Sequence, residues 1–163
     1  MMIDDLLFGL TLLTTLGCGL IAGAFFAFSS FVMKALARIP PAQGIAAMQS
    51  INVVVINPLF LGVFLGTAVG CAALLVSSVL AWFRPGSVWV LAGSLLYLVG
   101  TILVTMRCNV PRNNALAAVN PASAEGARLW AGYLTGWTAW NHVRTIAALA
   151  AAASLIGSLI SFV

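Results

Sequence analysis

The side chains best suited to chemistry fall in two short strings. Cys108-Asn109-Val110-Pro111-Arg112-Asn113-Asn114-Ala115-Leu116 carries three asparagines and an arginine, and Trp137-Thr138-Ala139-Trp140-Asn141-His142-Val143-Arg144-Thr145 carries the chain's one histidine. His142 is the neutral-pH base of this set, and Arg144 a permanent cation. Together they suggest proton transfer and the holding of an anion, with asparagine amides as auxiliary donors. Metal chemistry is disfavoured: one histidine, no nearby carboxylate and the scattered Cys18, Cys71 and Cys108 do not form a ligand set. No metal and no cofactor are expected.

These residues sit in an apolar chain. Of 163 residues, 63% are hydrophobic and 6% charged, against roughly 25% charged in soluble domains. A soluble domain of this size could not hide so much apolar surface, so the bilayer is the expected partner and solvent. The net charge of +4 sets seven basic residues against Asp4, Asp5 and Glu125. The basic residues flank apolar runs, which fits orientation and anionic headgroups rather than nucleic acid. Cys18 and Cys71 lie inside apolar runs and read as small hydrophobes. The acidic start and long first apolar run are unlike a secretory signal, and despite Leu16-Gly17-Cys18 the segment reads as a retained helix.

Four spans of sufficient length follow, at about residues 6–33, 58–83, 88–106 and 138–162. The expected fold is all-α, a single membrane-embedded four-helix bundle. Short interfacial helices are expected in the first loop, around Gln43 to Asn52, and in the third, around Ser123 to Tyr133. Lys34, Arg38, Arg107, Arg112, Arg128 and Arg144 fall in or beside the first and third loops, and Arg84 alone in the second. The positive-inside rule then places those two loops in the cytoplasm and both termini outside, in a multi-pass cell-membrane protein. Gly19 and Gly23 form one GxxxG pair, and Gly62, Gly66 and Gly70 two more. Such pairs permit close helix contact, within the bundle or with a second copy through Gly62, Gly66 and Gly70.

The spans bring the polar residues to one membrane level. At about 100° per residue, Trp137, Trp140, Asn141 and Arg144 share one arc of the fourth helix, with Thr138, His142 and Thr145 in the adjoining sector. A charge inside a span needs protein, water or a partner. Arg144 has four options: neutral acceptors, snorkelling, Glu125, or an anionic ligand. Trp137 and Trp140 fit an aromatic belt as well as a binding platform, and Arg112 and Arg128 fit headgroup anchors.

Asn109-Val110-Pro111-Arg112-Asn113-Asn114-Ala115-Leu116 and Trp137-Thr138-Ala139-Trp140-Asn141-His142-Val143-Arg144-Thr145 resemble the signature strings of the anthrone oxygenase family. Gly19 to Ser29 and Ala47 to Asn52 resemble that family's opening helix and following loop. The resemblance implies oxidation of an anthrone methylene by O₂ without a recognised cofactor. On that reading the substrate is a lipophilic phenolic or anthrone-like molecule. His142 then acts as base and Arg144 as the catalytic anion holder. Asn109, Asn113, Asn141, Trp137, Trp140, Phe25 and Phe26 bind the substrate. The alternative is a non-enzymatic membrane protein that binds a small solute or stabilises a partner complex, with the same residues lining a cavity or knitting the bundle.

Overall fold

A computed structural model describes residues 2–81 and 83–161 as five helices joined by short turns. Helix α1 runs over Met2–Ala27, widens into a π-helical turn at Phe28–Val32 and closes with Met33–Leu36. Helix α2, Pro41–Val54, starts at a proline, where the missing N–H costs nothing. Helix α3, Pro58–Leu80, is capped by Asn57, whose side chain accepts from the Phe60 N–H at 3.0 Å. Helix α4, Ser87–Ala117, contains π-helical stretches at Leu96–Leu103 and Thr105–Asn109. Helix α5, Ala124–Ile160, is capped by Ser123, which accepts from the Gly126 N–H at 2.9 Å.

Helices α1, α3, α4 and α5 are each long and apolar enough to cross a membrane. They form a ring in which α1 packs on α3, α3 on α4, α4 on α5 and α5 back on α1. Large apolar side chains such as Leu13, Leu20, Leu59, Val69, Val99, Met106 and Ile146 point outward on all four, a surface suited to lipid. Inside, one apolar core gathers Cys18, Ile21, Phe25, Phe64, Cys71, Leu74, Tyr97 and Leu155. A second core lies towards the α2 end: Met33, Ile45, Met48, Leu116, Trp130, Tyr133 and Trp137. Helix α2 closes that end, and Gln49 holds it there by donating to the carbonyls of Leu116 at 2.8 Å and Val119 at 3.1 Å.

The bounds differ from the sequence expectation in one place that matters. The third connection is expected as a long polar section with a separate short helix up to Tyr133. Instead α4 continues through Arg107 and Pro111 to Ala117, and α5 begins at Ala124 and runs unbroken for 37 residues. At 1.5 Å per residue α5 is about 55 Å long, well over a ~30 Å hydrocarbon core. Neither Gly132 nor Gly136 breaks it, because the stacked Trp130, Tyr133 and Trp137 face holds both turns against the second core. The expected ends of the second and fourth spans take in Trp82 and Phe162, which lie outside the described residues.

The close helix contacts also differ from the expected glycine pairs. A Cβ at Gly19, Gly23, Gly62 or Gly66 would meet nothing within 4 Å. A Cβ at Gly17 would run into Thr67, one at Gly70 into Thr14, and one at Gly100 into Ala147. Crossing helices touch over a turn or two, so a glycine row along one face supplies one contact and its remainder faces outward.

Candidate functional site

The polar residues reach the bundle interior where the helices change pitch. A π turn adds a residue per turn and swings the following side chains to a new face. In α1 the Met33 N–H bonds back five residues to the Phe28 carbonyl, and in α4 the Val110 N–H does the same to Thr105. Those turns aim Ser29 on α1, and Thr101, Thr105 and Asn109 on α4, at α5. All but the partly buried Thr105 are buried.

Arg144 is the centre of the cluster, 5% exposed. Its Nη2 donates to Asn141 Oδ1 at 2.7 Å and its Nη1 to Thr105 Oγ1 at 3.2 Å. The guanidinium lies 4.0 Å over the Phe25 ring centroid and 5.2 Å from that of Trp137, within cation–π reach. These partners are all neutral. The Arg84–Asp4 ion pair, at 2.7 Å, is at the opposite end of the bundle. Arg144 Nε is buried and unpartnered, a costly state for a charge-bearing donor.

Asn141, fully buried, spends both of its amide protons on the protein. Its amide nitrogen donates to the Phe25 carbonyl at 2.8 Å and to Ser29 Oγ at 2.7 Å, while its oxygen takes Arg144. An asparagine nitrogen has two protons, so none is left for a ligand. Ser29 and Thr145 hydroxyls meet at 3.1 Å beneath it. Asn109, 1% exposed, donates to the Trp137 carbonyl at 3.2 Å and leaves its Oδ1 unpartnered. Asn113 Oδ1 accepts twice, from Trp137 Nε1 at 2.8 Å and Tyr133 Oη at 2.9 Å. Trp130, Tyr133 and Trp137 stack in sequence, with centroids 5.5 Å and 6.0 Å apart.

Of the residues read from the sequence, Phe25, Asn109, Asn113, Trp137, Asn141 and Arg144 come together. His142, Trp140 and Phe26 do not. His142 is exposed, Trp140 is 37% exposed and Phe26 60%. Residue 142 lies about 100° around the helix from 141 and 160° from 144, so shared depth does not become a shared face. Ser29, Thr105, Tyr133 and Thr145 belong to the cluster without being among the expected site residues, although the sequence puts Thr145 in the sector beside Asn141 and Arg144. The signal for two of them was a ladder at i, i+4 along one helix: Tyr133, Trp137, Asn141, Thr145.

The cluster is closed over by its aromatic rings. A cavity of about 480 Å³ lies elsewhere, in the outer crease between α1 and α3 beside Gly62 and Gly66. A ligand reaching Arg144 must therefore part side chains such as Phe25 and Trp137. Among the described residues, no three His, Cys, Asp or Glu side chains are placed to hold a metal ion.

The profile of a protein family described as anthrone oxygenase matches residues 60–154, more than half of the chain, including nearly all of α3, all of α4 and most of α5. No curated protein and no solved structure matches the chain.

Proposed function

We propose, for a chain that belongs to the anthrone oxygenase family, that it oxygenates a flat, lipophilic anthrone-like or phenolic substrate inside the membrane, with Arg144 holding the oxyanion. One observation carries this reading: a buried arginine with no carboxylate against it and its Nε–H without a partner. A cation kept in a low-dielectric interior with neutral partners favours any guest that brings a negative charge.

The chemistry starts at a methylene between two aryl rings and opposite a ketone. One C–H proton passes to water or hydroxide, giving an enolate whose oxygen lies against Arg144 Nε. The carbanionic carbon reduces and adds O₂, giving a peroxide anion that takes up a proton. Loss of the second C–H proton, with departure of hydroxide, leaves a carbonyl. One CH₂ and one O₂ become one C=O and one water, and no external reductant is consumed. Arg144 lowers the pKa of the substrate in the first step. Asn141, Thr105 and the Phe25 face keep the guanidinium aimed; Trp137 and Phe25 offer apolar faces to the ring system. Asn109 Oδ1 is free to accept from a substrate hydroxyl. His142, on the outer face, touches no substrate atom in this scheme.

The test is O₂ consumption and quinone formation by the purified protein in lipid nanodiscs with anthrone, corrected for uncatalysed autoxidation. Arg144→Ala is expected to lose at least ~100-fold, the scale of an oxyanion-holding donor. His142→Ala is expected to change the rate less than about threefold. Equal rates for Arg144→Ala and the parent would remove Arg144 from the mechanism. A non-enzymatic reading draws on the same clamp: Asn141 joins α1 to α5 through Phe25 and Ser29. If knitting the bundle were its whole role, Arg144→Ala would lower thermal stability equally with and without anthrone.

A further inference from the structure

The opposite end of the bundle, where α1 and α4 begin and α3 and α5 end, carries its own polar cluster. A cavity of about 30 Å³ there is bounded by all four long helices and the α3–α4 turn. Thr11, Ser77, Ser78, Ser87 and Ser158 supply hydroxyls to its wall. Four of them have already committed their single proton. Thr11 donates to the Leu7 carbonyl at 2.7 Å, Ser77 to Leu74 at 2.8 Å, Ser78 to Leu75 at 2.8 Å and Ser87 to Ala81 at 2.9 Å. These four can only accept from a guest. Ser158 differs: it is 0% exposed and its Oγ has no partner.

We propose that this cavity is a binding site for one water molecule, which accepts from Ser158 and donates to the hydroxyl oxygens around it. The volume exceeds the roughly 10–15 Å³ that a single water needs. The polarity selects the guest. An anion would accept from Ser158 but face the lone pairs of four committed hydroxyls. A cation would lie beside Arg84, whose Nη1 is held by Asp4 at 2.7 Å at the cavity rim. Water alone both accepts and donates twice. Such a water ties α5 to two of the other three long helices where lipid gives apolar surfaces no drive to associate.

The sign of one substitution decides the matter. If the cavity is dry, Ser158 carries an orphaned hydroxyl, and Ser158→Ala removes that penalty and raises the melting temperature. With the water bound, Ser158→Ala deletes its one fixed donor. The melting temperature in nanodiscs then falls, by about 2–4 °C for a chain of this size. A rise, or no change, overturns the proposal. A wild-type melting temperature that climbs in NaCl over KCl, with no such climb in Ser158→Ala, overturns it in favour of a cation. A crystal structure of the wild-type chain gives an independent arm. Solvent density 2.7–3.2 Å from Ser158 Oγ is expected, and a clean void there would refute the site.

Discussion

Asn141 shows how one residue decides what its neighbour can do. With both amide protons on α1 and its oxygen on Arg144, it positions the guanidinium and has no donor to spare for a ligand. The account therefore separates two substitutions at this position. Asn141→Leu keeps the branched shape but strands Arg144 Nη2, the Phe25 carbonyl and Ser29, and is expected to cost roughly 3 kcal/mol of stability. Asn141→Asp keeps an oxygen on Arg144 and neutralises its charge, so activity should fall as in Arg144→Ala with a smaller loss in melting temperature. An active Asn141→Asp protein would mean that the arginine's charge is not spent on substrate. Depth along the chain was legible from sequence here: Asn109, Asn113, Trp137, Asn141 and Arg144 were read as one level, and they meet. Face was harder to read. His142 and Trp140 share that level, yet each flanks Asn141 by one residue, and a one-residue step turns a helix position about 100°.

The elements explain the remaining misses. No residue pattern at Phe28–Val32 or Thr105–Asn109 distinguishes a π turn from an α turn, so nothing in the strings placed Ser29 and Thr105 beside Arg144. Likewise, a section with Pro111, Pro121, Gly132 and Gly136 reads as a loop, whereas tertiary packing of Trp130 and Tyr133 carries α5 straight through the glycines. The count of four spanning helices is legible because apolar length is local. Glycine contacts are not, since an open and a packed glycine look alike in a string. Gly70→Leu should overpack against Thr14 and destabilise by about 1–3 kcal/mol. Gly66→Leu, which meets open space, should change stability by less than about 0.5 kcal/mol. Reversed magnitudes in a denaturation series would contradict the α1–α3 packing described above.

At the scale of the molecule, the bundle is polar at both ends of an apolar middle. The α2 end holds a cation with unspent hydrogen-bonding capacity, and the other end holds hydroxyls around a small cavity. The polar strings of the sequence point to the first end and not to the second. Scattered serines on three helices and a threonine on the fourth converge only once the ring of helices is closed. Membership of the anthrone oxygenase family rests on α3, α4 and α5, while α1 contributes Phe25 and Ser29 to the cluster from outside the matched residues. The central claim is that Arg144 stabilises a bound oxyanion, and the most direct measurement is the ionisation of a flat phenol that lacks the oxidisable methylene. 2-Hydroxyanthraquinone changes colour when it ionises, and protein-free nanodiscs supply a reference that already includes transfer into lipid. A cation close to the phenolic oxygen lowers its pKa, by about 1–3 units. The account predicts that shift with the parent protein and its disappearance with Arg144→Gln. An unshifted or raised pKa in the parent, or the same shift in both proteins, would contradict it.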